Sequence, residues 1–360
     1  MYGLQEELED AINEHLLEKG IELEGETDEF PDELNEFIDE FASDIVESTL
    51  GTLKEDVLSD YAIEERKERE GFEKRLQEHW GEPLSLLEML IRSAIEVGND
   101  FNQKYRAEAI ASKDMKFEAL TRLHARACQV SSAILVLLKN GFADDAHARW
   151  RALHEIATIS SFIQQGDQVL AERYLLHEVV QQYKLASEIK KVHSRTNMGP
   201  IPQEELDDLQ SAYDSLLCRF GSRFKGEYGW ASEALGGRNP TFRTIEKAAN
   251  LDHLRPYYRM ASDNVHANSH GIKYRLGLVI EQNKVLLAGP SNGGLADPGH
   301  STAISLNVAT AALLATGSGL DVLVPIWVFG ELANEIGEGF LEAHKEMEDV
   351  ALSENESSGE

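Results

Sequence analysis

Hydrophobic residues recur at helical spacing along most of the chain. In the first seventy residues they lie three or four positions apart, as in Leu4, Leu8, Ile12 and Leu16, and this predicts short amphipathic helices. From Pro83 onward the spacing persists over longer segments and predicts helices at residues 84–97, 117–138, 143–165, 168–192, 204–219, 302–315 and 319–345. The pattern therefore predicts a mainly α protein built as a multi-helix bundle.

Two segments depart from the amphipathic helical pattern. The runs at 271–280 and 284–288 are β-like and are separated by three polar residues, so we predict a small β-hairpin near residues 271–289. Residues 303–320 contain no charged side chain, but their many Ala, Ser, Thr, Asn and Gly residues are less apolar than a bilayer core requires. We therefore expect a closely packed buried helix there and no membrane segment.

The acidic charge of the chain is concentrated at its two ends. The formal net charge is −30, of which residues 1–70 carry −20 and residues 337–360 carry −7, which leaves −3 for the middle. We divide the chain into an acidic helical N-terminal region (1–75), a helical core domain (76–346) and a disordered acidic tail (347–360). RNA is compatible with the nearly neutral core. The acidic N-terminal region is a candidate for docking a protein partner or for shielding a basic site.

The cysteine content and the first residues bear on location. Cys128 and Cys218 are too few for a disulfide framework or a four-thiolate zinc site. The first residues lack the basic start and apolar run of a secretory signal. We therefore expect a cytoplasmic protein.

The residue types best suited to chemistry lie between residues 251 and 271. Pro256 suits the first turn of a helix and Gly271 suits a stop after it. We therefore predict a helix from Tyr257 to about Ala267.

Arg259, Asp263 and His266 share one face of this predicted helix. An Arg guanidinium suits a phosphate, and a His imidazole exchanges a proton near neutral pH, so the pair suits binding and cleavage of a phosphodiester. The same spacing also fits a structural ion pair between Arg259 and Asp263. Asn264 and Asn268, on a neighbouring face, fit caps and substrate contacts equally well.

A second polar stripe is predicted on the helix at residues 143–165. His147, Arg151 and Glu155 follow one another four residues apart. An Arg and a Glu in a bundle interior must be paired, because an isolated buried charge is very costly. The stripe is therefore either scaffold or active site. Further cationic side chains on this helix and the preceding one are Arg122, Arg126 and Arg149.

The usual metal and cofactor signatures are absent from the sequence. Repeated Glu-x-x-His pairs, HExxH, paired CxxC and glycine-rich phosphate loops are not found. We therefore predict no metal and no cofactor. A metal-dependent hydrolase that uses His147, His154 and Glu155 is a lesser alternative.

Several stretches of the sequence resemble a known bacterial family. They are FEALTRLHARA (117–127), GFADDAHARWRALHE (141–155), FKGEYGWA (224–231), LDHLRPYYRMASDNVHAN (251–268) and LLAGPSNGGLADPGH (286–300). From about Leu84 to about Lys345 the chain resembles the family catalogued as domain of unknown function 5677. The resemblance implies a helical domain with characteristic Arg, Glu and His positions, and it implies no activity.

A second resemblance concerns two residues. Arg259 and His266, with six residues between them, match the R-x(4–6)-H pattern of the higher eukaryotes and prokaryotes nucleotide-binding (HEPN) helical domains. Many HEPN domains are metal-independent ribonucleases of toxin and phage-defence systems. The resemblance also implies a homodimer whose two copies face each other across a cleft.

We therefore expect a HEPN-like endoribonuclease in which His266 is the general base and Arg259 stabilises charge on the phosphate. The residues expected to support this pair are Arg151, Glu155, His147, Asp263 and Asn264. The residues expected to bind RNA are Arg255, Tyr258, Asn268, Arg149, Arg122 and Arg126. The alternative is a non-enzymatic helical binding or scaffold protein of a defence system, in which the same charged residues are buried structural pairs.

Overall fold

A computed structural model describes residues 4–19, 32–57, 60–197, 199–237, 239–266, 269–278 and 286–358. Within these residues the chain is mainly helical, as predicted, and contains no strand. It divides into two compact units, Met1–Phe72 and Glu73–Glu360.

Eleven α-helices make up most of the described residues. Helices α1 and α2 belong to the first unit, α3 runs from the first unit into the second, and the others belong to the second unit. The helices are α1 (Leu4–Lys19), α2 (Asp32–Val57), α3 (Asp60–Ser112), α4 (Met115–Lys139), α5 (Ala143–Gln165), α6 (Gln168–Val192), α7 (Gln203–Phe220), α8 (Phe242–Ala248), α9 (Arg255–Val265), α10 (Ala296–Leu314) and α11 (Leu320–Ser358).

Local capping explains several helix limits in the second unit. Asp114 precedes α4, and its carboxylate accepts the Phe117 N–H at 2.9 Å. Asp167 does the same for α6 through the Leu170 N–H at 2.8 Å. Between α4 and α5, Gly141 has a φ of 75°, a left-handed conformation that costs glycine little. As a result, α5 and α6 begin and end at the residues that the hydrophobic pattern predicts.

Helix α10 packs against α4, α5 and α11, and α5 in turn packs against α4 and α9. Trp150 of α5 is fully buried, and its indole N–H donates to the Ser301 carbonyl at 2.8 Å and to the Ser305 hydroxyl at 2.9 Å. The small residues of α10 thus form a buried, closely packed helix. No helix in the described part of the chain combines the length and the apolar character needed to cross a membrane.

The β-hairpin predicted near residues 271–289 is not found in the described part of that segment. Residues 271–278 and 286–289 form turns and irregular backbone. Residues 279–285, which include the predicted turn, lie outside the described residues.

Hydrogen bonds to other groups explain the absence of strand at residues 271–278. The Tyr274 N–H donates to the His270 carbonyl at 2.9 Å, which closes a turn. The Leu276 N–H donates to the Asp144 carboxylate at 3.0 Å, in the first turn of α5. Neither N–H is therefore available to a neighbouring strand.

Several helix limits differ from the prediction, among them the start of α10, which lies at Ala296 where residue 302 was predicted. Helix α11 continues to Ser358, so most of the tail predicted as disordered (347–360) is helical in the described residues. Helix α9 ends at Val265, before the predicted limit at Ala267. Helix α3 includes Pro83 in its interior, where we expected a new helix to begin.

Candidate functional site

Tyr258 joins α9 to α5. Its side chain lies on the inner face of α9 and is 7% exposed. The hydroxyl donates to Glu155 Oε1 at 2.6 Å and accepts from Arg151 Nε at 2.9 Å. Arg151 Nε also lies 3.4 Å from Glu155 Oε1, and its guanidinium lies 5.0 Å from the centre of the Tyr258 ring. The three side chains therefore form a closed network between the two helices.

A second group of charged side chains lies against the Tyr258 ring. Glu246 of α8 is fully buried and contacts two partners, His154 Nε2 at 2.9 Å and Arg255 Nη1 at 3.0 Å. A buried carboxylate requires such partners. The Arg255 guanidinium lies 5.0 Å from the centre of the Tyr258 ring.

These two groups form one structural unit. We call it the α9 anchor, and it consists of Arg151, His154, Glu155, Glu246, Arg255 and Tyr258. Arg255 and Tyr258 were expected to bind RNA, and this stays a prediction. The Tyr258 hydroxyl and Arg255 Nη1 already have partners inside the protein.

Burial controls the protonation of the anchor tyrosine. It raises the pKa of Tyr258 to about 12, and the hydrogen bond to Glu155 acts in the same direction. Burial also raises the pKa of the neighbouring Tyr228. Both phenols therefore keep their protons at neutral pH, and Tyr258 acts as a hydrogen-bond donor to Glu155.

Arg259 and His266 lie on the solvent side of this region. Arg259 directly follows Tyr258 on α9 and is exposed, and His266 is also exposed. His266 lies one residue beyond the helix, with extended backbone (φ −107°, ψ 134°) and its N–H donating to the Ser262 carbonyl at 3.2 Å. Helical register therefore does not hold His266 on the face of Arg259, contrary to the prediction.

The other polar residues predicted near this pair have different surroundings. Asp263 is half-buried, and its Oδ2 lies 3.1 Å from His270 Nδ1. Asn264 is half-buried on α9. Asn268 lies outside the described residues.

His147 is a core side chain. It is fully buried, its ring stacks on Trp150 with 5.4 Å between centres, and within the described residues neither ring nitrogen has a hydrogen-bond partner. Burial lowers the pKa of His147 to about 4, so the ring is neutral. Its expected place among the residues that support Arg259 and His266 stays a prediction, and its contacts are those of a core residue.

The alternative metal site is also not assembled. Among the described residues, no group of three or more His, Cys, Asp or Glu side chains is placed to hold a metal ion. His154, one of the proposed ligands, uses its Nε2 for Glu246.

A cavity of about 560 Å³ lies beside the anchor, between α4, α5, α6 and the loop at residues 227–230. We call it the α4–α6 cavity. Its charged and aromatic lining residues are Arg122, Arg126, Glu155, Tyr174, His177, Glu178, Glu227, Tyr228 and Trp230. Glu155 therefore belongs to both the cavity and the anchor.

Two of the arginines predicted to bind RNA line this cavity. Both are exposed: Arg122 pairs with Glu118 at 2.6 Å, and Arg126 donates to Gln129. Arg149 is half-buried on α5 and is not among the cavity residues.

Sequence reasoning missed Glu246, Tyr228 and Trp230. Tyr228 and Trp230 lie within FKGEYGWA, a stretch that was used only for the family resemblance. Its high content of glycine and aromatic residues could have identified this stretch as a candidate for the site. Glu246 had no such signal, because its role depends on two partners distant in sequence.

Comparison with known proteins gives one match. The family model described as "Family of unknown function (DUF5677)" matches residues 117–284, a span that contains most of α4, all of α5 to α9 and the whole anchor. The span is shorter than the resemblance predicted from about 84 to 345. No curated protein and no solved structure matches the chain. The match supports a resemblance of residues 117–284 to this family of unknown function.

Proposed function

We propose that the protein is a metal-independent endoribonuclease, of the kind used in toxin and phage-defence systems, that acts at the exposed side of α9. His266 removes the proton of a ribose 2′-hydroxyl, and the 2′-oxygen attacks the adjacent phosphorus. The bond from phosphorus to the 5′-oxygen of the next nucleotide breaks, and that oxygen takes a proton from water. Arg259 binds the phosphate and offsets its charge. The products carry a 2′,3′-cyclic phosphate and a 5′-hydroxyl.

The observation that carries the proposal is the exposure of both residues. Arg259 and His266 are the cation and the imidazole of the expected motif, and both are open to solvent. Within the described residues the Arg259 guanidinium has no recorded ion pair or hydrogen bond. A cation without a protein partner is available to an RNA phosphate.

The anchor supports a positioning role for Arg151 and Glu155. Both contact Tyr258, which directly precedes Arg259 in the chain. The backbone that carries Arg259 is therefore held to α5 by charged hydrogen bonds, which are stronger than neutral ones. One Arg and one His per chain give an incomplete site, so the proposal includes a homodimer in which a second copy faces the first.

The test is cleavage of labelled single-stranded RNA by the full-length protein in EDTA. We expect products that end in a 2′,3′-cyclic phosphate. Arg259→Ala and His266→Ala should each lower the rate by about 100-fold or more. The matched controls are Arg243→Ala and His253→Ala, which alter exposed residues outside the proposed site. Cleavage that is unchanged in His266→Ala would remove the assignment.

A non-enzymatic scaffold is the second candidate, and the buried pairs of the anchor favour it. His154 and Glu246 are 1% and 0% exposed, as expected of structural groups. The two candidates differ in what they require of Arg259 and His266, which are exposed: the ribonuclease needs both side chains for cleavage, whereas a scaffold needs neither. Absence of cleavage by well-folded dimeric protein would favour the scaffold.

A further inference from the structure

The α4–α6 cavity has the properties of a ligand site. Its volume of about 560 Å³ lies within the range of about 300–1,000 Å³ that is usual for small-molecule sites. The lining combines aliphatic and aromatic side chains with a few charged groups, as such sites do. The proposed cleavage step uses none of these groups directly.

An aromatic platform forms one part of the cavity. The half-buried Tyr174 lines the cavity, and the buried Trp230 packs edge-to-face against it with ring centres 5.0 Å apart, which fixes the Tyr174 ring. The buried Arg173 donates through Nε to the Trp230 carbonyl at 2.9 Å, which holds the loop in place. A fixed aromatic surface favours binding of another planar ring, because little order is lost on binding.

Carboxylates supply hydrogen-bond acceptors beside this platform. Glu155, Glu178 and Glu227 line the cavity. Glu155 contacts Tyr258 and Arg151 through Oε1, and its Oε2 makes no hydrogen bond within the described residues. One carboxylate oxygen of this lining residue therefore lacks a protein donor among the described residues.

The donor pattern of the nucleobases distinguishes among ligands for this site. Guanine presents N1–H and N2–H side by side, so carboxylate oxygens at the cavity can accept from this edge. Uracil presents a single N–H between two carbonyl oxygens, which a carboxylate repels. Unpaired bases in RNA are commonly bound by stacking on aromatic rings and by hydrogen bonds to their base-pairing edge.

Two arginines at the cavity supply the positive charge and the N–H donors that a phosphate requires. Arg122 and Arg126 are exposed at the cavity and lie four residues apart on α4, so they are neighbours on one helix face. Guanidinium groups bind phosphate oxygens with two hydrogen bonds each. An aromatic platform, carboxylates and a cationic edge together fit a nucleotide.

We propose that the α4–α6 cavity binds one unpaired guanine nucleotide, either free or as part of an RNA strand. The RNA form rests on the proposed ribonuclease function, in which the cavity selects the sequence that is presented to α9. Glu155 joins the two regions, because it lines the cavity and also accepts the Tyr258 hydrogen bond. Guanine at this carboxylate is therefore in contact with the anchor of α9.

Calorimetric titration of the full-length protein with GMP, AMP, CMP and UMP tests the site without RNA. We expect GMP to bind best and UMP to bind about tenfold more weakly, the effect of roughly one lost hydrogen-bonded contact. Arg126→Glu should weaken GMP binding, because it reverses a charge at the cavity. Ile159→Trp should block binding by filling the cavity, which Ile159 lines. Lys190→Glu, a charge reversal at an exposed α6 residue outside the lining, is the matched control.

Titration of His266→Ala with short RNA distinguishes the two sources of the nucleotide. Tighter binding of a hexamer with one guanine than of its adenine counterpart indicates RNA, and binding of GMP alone indicates a free nucleotide. Equal affinity for all four mononucleotides and both hexamers, or binding unaffected by Arg126→Glu, would overturn the proposal. RNA cleavage by a protein that binds neither GMP nor the guanine hexamer selectively would overturn this proposal alone, whereas selective guanine binding without cleavage would overturn the ribonuclease alone.

Discussion

The hydroxyl of Tyr258 donates to Glu155 Oε1 at 2.6 Å and thereby joins two helices through residues 103 positions apart. Tyr258→Phe keeps the ring and removes this bond. A hydrogen bond to a charged group contributes about 1.5–3 kcal/mol, so we expect a loss of about 2 kcal/mol in the free energy of unfolding. Urea denaturation measures it.

Tyr257→Phe is the matched control for this prediction. Tyr257 is the preceding residue on α9 and is 39% exposed, and its hydroxyl has no recorded partner in the described residues. We expect a change below about 0.5 kcal/mol. Equal losses in the two variants would show that the Tyr258 hydroxyl does not hold α9.

Arg259→Ala and His266→Ala should separate activity from stability. Because both side chains are exposed, each substitution should change the free energy of unfolding by less than about 0.5 kcal/mol while RNA cleavage is lost. Thermal melting and the cleavage assay are made on the same preparations. A loss of about 2–4 kcal/mol in either variant would instead identify a structural residue.

The buried pair of His154 and Glu246 should be costly to break. Glu246→Ala leaves His154 and Arg255 without their common carboxylate, and we expect a loss of about 3–5 kcal/mol. Urea denaturation is again the measurement. The control is Glu188→Ala, which removes an exposed pair with Lys191 and should cost less than about 1 kcal/mol. A small loss at Glu246 would mean that this carboxylate does not support the core.

Acid should destabilise the protein through two buried histidines. Burial lowers the pKa of His124 and His147 from 6.5 to about 4 in the folded state. Between these values the unfolded chain binds more protons than the folded chain, so stability is complete above pH 6.5 and is lost as the pH falls towards 4. Each histidine contributes a slope of about 1 kcal/mol per pH unit in this window.

His147→Leu isolates one of these contributions. Since neither ring nitrogen of His147 has a hydrogen-bond partner in the described residues, an apolar side chain of similar size should preserve or increase stability at pH 7. Between pH 6.5 and 5 the variant should lose about 2 kcal/mol less than the parent protein. An unchanged pH dependence of the urea midpoint would contradict the assignment of His147 as a buried neutral group.

Gly294 should tolerate substitution less well than Gly319. Both have positive φ, 79° and 91°, which strains any residue with a Cβ. At Gly294 a Cβ would also collide with the backbone oxygen of Leu276, whereas at Gly319 no atom lies within 4 Å. We expect losses of about 3 kcal/mol for Gly294→Ala and about 1 kcal/mol for Gly319→Ala, measured by thermal melting. Equal losses of stability in the two variants would show that a Cβ at position 294 does not collide with Leu276.

Helices were predictable from sequence where local signals agree. For α5 and α6 an amphipathic pattern coincides with Gly141 and Asp167 at the boundaries, and both helices have the predicted limits. A strand was predicted at 271–278 because the alternating apolar residues of this segment suit a strand, but the segment forms turns and irregular backbone. Its N–H at Leu276 bonds to Asp144, more than a hundred residues away, and no local pattern contains such a partner.

In the candidate site, too, contacts between residues distant in sequence could not be predicted. Arg259 and His266 were identified from their spacing, and their exposure is compatible with the proposed role. Tyr258 was also predicted to bind substrate. Its hydroxyl donates to Glu155, a contact that depends on the packing of α9 on α5 and has no local sequence signal.

Helix α10 lies late in the chain, and this affects how the protein can fold during translation. The indole N–H of Trp150 finds its acceptors in Ser301 and Ser305, which the ribosome adds about 150 residues later. During translation the surfaces of α4 and α5 that pack on α10 stay uncovered until α10 is made. A chain that stops before α10 would therefore expose this apolar surface, and such surface promotes aggregation.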